Sequence, residues 1–159
     1  MTQALKKIFS CDNLNKINSK KNRRSSKVED NIVYQLHERI VSNLYKAQNL
    51  SFFLIQKSHK KERVLCICSP QDSLVQRTLL EHLNTKIKPL GLDNNISFCI
   101  KGKSVSDAIK RSIEKRGKNQ WVLKTDISAF FDSIDRTMLI DMLSKKSRLL
   151  KTYYQYLLR

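Results

Sequence analysis

The sequence predicts a mixed α/β (α+β) fold, and three observations carry that prediction. Segments with apolar residues at three- and four-residue spacing alternate with short apolar runs that read as strands. At 159 residues, 40% of them hydrophobic, the chain amounts to about one domain and can bury a core. Three glycines and two prolines exclude collagen-like, propeller-like and Gly-rich linker architectures. Charge then gives the reading a direction. There are 31 Lys and Arg against 14 Asp and Glu, a formal net charge of +17. Such an excess repels itself in a compact state, so nucleic acid or an anionic membrane is the expected partner.

Residues 1–30 read as a basic N-terminal arm. Between Lys16 and Lys27 come Lys20, Lys21, Arg23 and Arg24, among Asn and Ser, with Ile17 as the apolar anchor. A solvated tail and a sequence-blind contact to nucleic-acid phosphates both fit this stretch, and Lys20, Lys21, Arg23 and Arg24 are its nucleic-acid-binding candidates. From Asn31 the pattern is helical, with Ile32, Leu36, Ile40, Val41 and Leu44 in register and Asp30-Asn31 as the cap. Ser51–Gln56 and Arg63–Cys68 are two apolar runs flanking a polar, basic loop, which predicts a β-hairpin. Ser69-Pro70-Gln71-Asp72 opens a helix, with Ser as cap, Pro at the first helical position and Asp at the third. That helix carries Leu74, Val75, Leu79, Leu80 and Leu83 and should stop near Pro89. After the apolar piece Ser97–Ile100, Ser104 to Asp107 forms a second capping box ahead of Ala108, Ile109 and Ile113. Gly117-Lys118-Asn119 breaks the chain, and Trp121–Ile127 reads as a strand ending in an acid. Asp132 to Asp135 turns it again, and Met138, Leu139, Met142 and Leu143 begin another helix.

Several function classes fall on the sequence alone. No apolar run approaches the roughly 20 residues of a membrane span, and the first ten residues show no secretory leader. Cys11, Cys66, Cys68 and Cys99 follow no disulfide or zinc spacing, which fits structural thiols in a reducing cytoplasm. Gly102-Lys103-Ser104 has the end of a phosphate-binding loop but Ser97 where that motif needs its first glycine, so the cap reading of Ser104 stands.

The chemistry concentrates in Val122–Asp135. A strand that delivers Asp126 where it stops, just before a turn, places a carboxylate and the Ile127 carbonyl where a divalent ion can be held. Capping of the turn is the plainer job for Asp126, and ordinary core is the plainer one for Phe130 and Phe131. This stretch resembles the first palm motif of bacterial-type reverse transcriptases, the branch with the group II intron and retron enzymes. It shares their apolar strand, Asp-Ile, three residues and Phe-Asp. Ile55 through Gln76 resembles that family's fingers block, and Phe98 through Ile109 the block that follows, so the resemblance covers roughly residues 50–145.

The resemblance implies the fingers and partial palm of a right-hand polymerase. Its parts would be the arm at 1–30, a fingers region at 31–120 and the start of the palm at 121–159. Asp126 would be the first catalytic aspartate, binding metal together with the Ile127 carbonyl, and Mg²⁺ would be the cofactor, with Mn²⁺ as its substitute. Phe131 would pack under the sugar of the incoming nucleotide, and Lys57 and Arg63 would clamp its triphosphate. The implied partners are an RNA template, a DNA or RNA primer, deoxynucleoside triphosphates, and a second chain carrying the rest of palm and thumb, with no membrane and a cytoplasmic location. One departure matters: the family's aromatic-x-Asp-Asp hairpin is not in this sequence, and Asp132, Asp135 and Asp141 cannot replace it from a turn and a helix. The alternative reading is a basic RNA-binding module without catalysis.

Overall fold

The computed structural model describes residues 3–20, 26–57, 61–85, 102–119 and 121–146. They fall into two units, one within Met1–His82 and one within Leu83–Leu158. The class is mixed helix and strand, as the sequence predicts.

The first unit begins with two short helices where an arm was expected. α1 is Gln3–Ile8 and α2 is Cys11–Ser19, separated by a corner at Phe9 and Ser10. The Ser10 hydroxyl accepts the Asn13 amide at 3.4 Å, and the Asn13 side chain reaches back to the Ile8 carbonyl at 2.6 Å. Leu5, Ile8, Phe9, Leu14 and Ile17 are buried, so this segment belongs to the core. Leu5 with Ile8 in α1 and Leu14 with Ile17 in α2 are each three residues apart, so each helix buries one side, while Lys6, Lys7 and Lys16 stay exposed.

α3, Asp30–Val41, packs against α2 and buries Val33, Leu36 and Ile40 at i, i+3 and i+7. Its end is a Schellman motif. Asn43 takes the left-handed conformation (φ 65°), its amide bonds the Ile40 carbonyl at 3.1 Å, and the Leu44 amide bonds that of Arg39 at 2.8 Å. Two polar contacts fix the packing. His37 Nδ1 lies 2.7 Å from the Phe9 carbonyl at the α1–α2 corner. Buried Asn18 donates to the Val28 carbonyl at 2.7 Å and accepts the Val28 amide at 3.0 Å. The Asn18 side-chain amide thereby satisfies both backbone polar groups of Val28.

The predicted hairpin forms. β1, Ser51–Lys57, and β2, Lys61–Ile67, are antiparallel, with Phe52 opposite Cys66, Leu54 opposite Val64 and Lys57 opposite Lys61. α4, Pro70–Asn84, follows and buries Leu74, Val75 and Leu79. Ser69 caps it as expected, accepting the Asp72 amide at 3.1 Å.

The second unit is held by local signals. α5, Val105–Arg116, has the predicted capping box: Ser104 Oγ accepts the Asp107 amide and the Asp107 carboxylate accepts the Ser104 amide. Gly117 ends it at φ 52°, in the half of the map that side chains disfavour. α6 is the single turn Phe130–Ser133, and α7 is Arg136–Lys146, whose first amides, at Thr137 and Met138, are accepted by Asp135 Oδ1 at 2.8 and 3.0 Å.

One expected element does not form. Residues 121–127 are not a strand, and the sheet of the described residues contains β1 and β2 alone. An apolar run becomes a strand only where another strand takes its ladder bonds. Trp121 and Leu123, which would share one face, are 93% and 88% exposed, and Val122 on the other is 69% exposed, so neither face of this run packs on the core. The expected apolar piece at 97–100 and the thiol of Cys99 lie outside the described residues; Cys11, Cys66 and Cys68 are free thiols.

Candidate nucleic-acid and catalytic residues

The hairpin and its supports form the best-defined site of the first unit. Arg63 sits on β2 opposite Ile55 and is exposed. Lys57 ends β1; its side chain lies outside the described residues, as do residues 58–60 of the connecting turn. Both faces of the hairpin are apolar and open: Phe52, Leu54 and Val64 on one side, Phe53 and Ile55 on the other, each 46–68% exposed. A two-stranded hairpin is only marginally stable by itself in water, so its orientation depends on what holds its ends.

Asp72 holds them. Its side chain is buried and accepts three hydrogen bonds: from Tyr45 Oη at 2.6 Å, the Gln48 amide at 3.0 Å and Ser69 Oγ at 2.8 Å. Burial, and then the Asp72 carboxylate, push the Tyr45 phenol well above its ordinary value of 10.0; Cys68 adds to this and Arg39 pulls against it. The sequence identified Asp72 as a helix-start residue. It could not show that the carboxylate turns to a tyrosine 27 positions upstream, because no local spacing encodes that contact.

Of the basic candidates, Lys20 bonds Glu81 at 2.9 Å, with both side chains partly exposed. Lys21, Arg23 and Arg24 lie outside the described residues.

In the second unit, Asp126 and Ile127 are exposed on irregular backbone just before a turn at Ser128 and Ala129. Ala129 is left-handed (φ 48°, ψ 40°), a conformation that costs a non-glycine residue energy. Its carbonyl gathers the Asp132 and Ser133 amides at 3.0 and 2.9 Å and the Ser133 hydroxyl at 2.7 Å. These bonds tie the start of α6 to Ala129, three residues after Asp126. On α6, Phe130 and Phe131 meet edge to face with centroids 5.3 Å apart, and Phe131 is 86% exposed. Its ring is thus not packed in a core.

Asp126 and the Ile127 carbonyl provide two adjacent hard oxygens. That suits a Mg²⁺ ion whose remaining ligands are water and phosphate oxygens. Among the described residues no group of three or more His, Cys, Asp or Glu side chains converges to hold a metal. Asp135 is engaged in capping α7. No described helix is long and apolar enough to cross a membrane.

No protein-family model matches the chain. Over 123 residues, 74% of its length, the chain is 32% identical to a protein of Schizosaccharomyces pombe named "Uncharacterized 91 kDa protein in cob intron". The chain spans about 15% of that relative's length.

Proposed function

We propose that this chain is the front part of an intron-associated RNA-directed DNA polymerase, contributing RNA-binding surface and the first catalytic carboxylate. The observation that carries the reading is Asp126, exposed directly before a turn, with Phe131 also exposed five residues on. Likeness to a protein named for an intron supports the RNA side of it. In this reading Asp126 and the Ile127 carbonyl hold a Mg²⁺ ion, whose chemistry is to stabilise charge on the phosphoryl group being transferred. By the resemblance, Phe131 would lie beneath the sugar of a nucleotide and, separately, Arg63 and Lys57 would be the cations offered to a triphosphate. Deoxynucleoside triphosphates, a primer and an RNA template are the substrates. The Asp-Asp hairpin that would complete the carboxylate set is not among these 159 residues.

The test is primer extension. The 159-residue chain alone is expected to give none, extension is expected once a chain carrying the remaining palm and thumb is added, and Asp126→Asn should abolish it. Extension that survives Asp126→Asn would overturn the assignment. The net charge of +17 also favours a second reading, an RNA-binding module without catalysis. Salt-sensitive RNA binding with no extension in any reconstitution selects it.

A further inference from the structure

We infer that Asp72 is a positioning residue: one buried carboxylate pins both feet of the β1–β2 hairpin and so sets the pose of its cations. The inference rests on the RNA-binding reading above for its consequence, but its geometry stands apart from it. Gln48 lies three residues before β1 and Ser69 two residues after β2, and both donate to the same Asp72 oxygen, Oδ2. Tyr45 takes the other oxygen.

At the same helical position of α5, Asp107 bonds only its own cap residue Ser104, whereas Asp72 bonds its cap residue Ser69 and also Tyr45 and the Gln48 amide far upstream. Here the Asp72 amide is already satisfied by Ser69, and the carboxylate faces the chain entering and leaving the hairpin. Arg63 lies four residues from the foot of β2 at Ile67, roughly 14 Å along the strand, so a rotation of about 10° at the feet moves it by about 2 Å. That displacement exceeds the tolerance of a hydrogen bond to phosphate, so the pinned feet decide which phosphates Arg63 can reach.

Asp72→Asn in the 159-residue chain tests this. The amide nitrogen it introduces cannot accept a bond, so one donor at the feet loses its partner. Hydrogen exchange at the β1 and β2 amides should quicken about tenfold, with α3 unchanged. Affinity for a single-stranded RNA oligonucleotide should fall severalfold, and the slope of log affinity against log salt should flatten because fewer phosphates are met. A chain that is merely less folded would bind more weakly at the same slope. Tyr45→Phe, a milder change, should move every readout the same way by less. Unchanged hairpin exchange in folded Asp72→Asn overturns the pin. Faster exchange with unaltered RNA slope overturns the link to binding, and absence of RNA binding by the unsubstituted chain overturns the RNA reading while the exchange result still decides the pin.

Discussion

The two units use the same kinds of helix and reach opposite outcomes. In the first, α3 sets Val33, Leu36 and Ile40 against α2, and each is at most 1% exposed. In the second, α5 carries an equally regular stripe of Val105, Ile109 and Ile113, and each is more than half exposed. Every buried apolar side chain among the described residues lies in the first unit. The better-capped helix is the exposed one: α5 has a complete capping box, whereas α3 has no side-chain cap bond. Caps decide where a helix starts, and long-range partners decide whether its apolar face is buried.

The largest effect should separate the units outright. Leu36→Ala removes a fully buried side chain and should cost about 2–5 kcal/mol. Ile113→Ala removes an exposed one and should stay within about 0.5 kcal/mol. Chemical denaturation of the two variants measures both, and equal costs would break the comparison by showing that the α5 stripe is buried in solution.

Titration sharpens the contrast through two groups shifted in opposite directions. Tyr45 is raised by burial and by Asp72, so the fold favours its neutral form. Its contribution is fully present below pH 10.0 and is lost as pH rises beyond that toward the folded value. Stability of the first unit should therefore decline in alkali, and Tyr45→Phe should flatten the decline. Asp107 is lowered by the Ser104 side-chain and backbone hydrogen bonds, with Lys110 assisting. Its contribution is present above 3.8 and is lost as pH falls through the lowered folded value. Helicity of α5 should fray in acid, and Asp107→Asn should remove that dependence. Circular dichroism across pH checks both. An acid transition that unfolds α3 along with α5 would count against the local role given to Asp107.

What could be read in advance follows the same division. The hairpin, α3, the Ser69 start of α4 and the Ser104 box of α5 were legible because each is written within a few consecutive residues. The α1–α2 corner was not. Its apolar positions straddle Ser10, and the lysines and arginines after Lys16 make the whole segment read as solvated. The predicted strand at 121–127 failed for a complementary reason, since hydropathy cannot say whether a ladder partner exists. At the site, the turn after Asp126 was legible. The strained Ala129, the exposure of Phe131 and the Asp72 contacts were not, because they depend on backbone geometry and on residues distant in sequence.

The smallest effect probes whether the first unit also occupies its surface charges internally. Lys20 and Glu81 pair at 2.9 Å with side chains 47% and 38% exposed, a setting in which ion pairs contribute about 0.2–1 kcal/mol and salt weakens them. Lys20→Ala should accordingly change stability by less than about 1 kcal/mol. Its effect on RNA binding discriminates more sharply. A lysine already neutralised by a carboxylate displaces few counterions, so its loss should leave the salt dependence of binding nearly unaltered. Glu81→Gln releases that lysine, and the slope of log affinity against log salt should steepen by about 0.7, one single-strand phosphate contact. If Lys20→Ala instead removes a full contact from the slope, the ion pair opens when RNA binds, and the charge that holds α2 to α4 in the free chain becomes part of the interface.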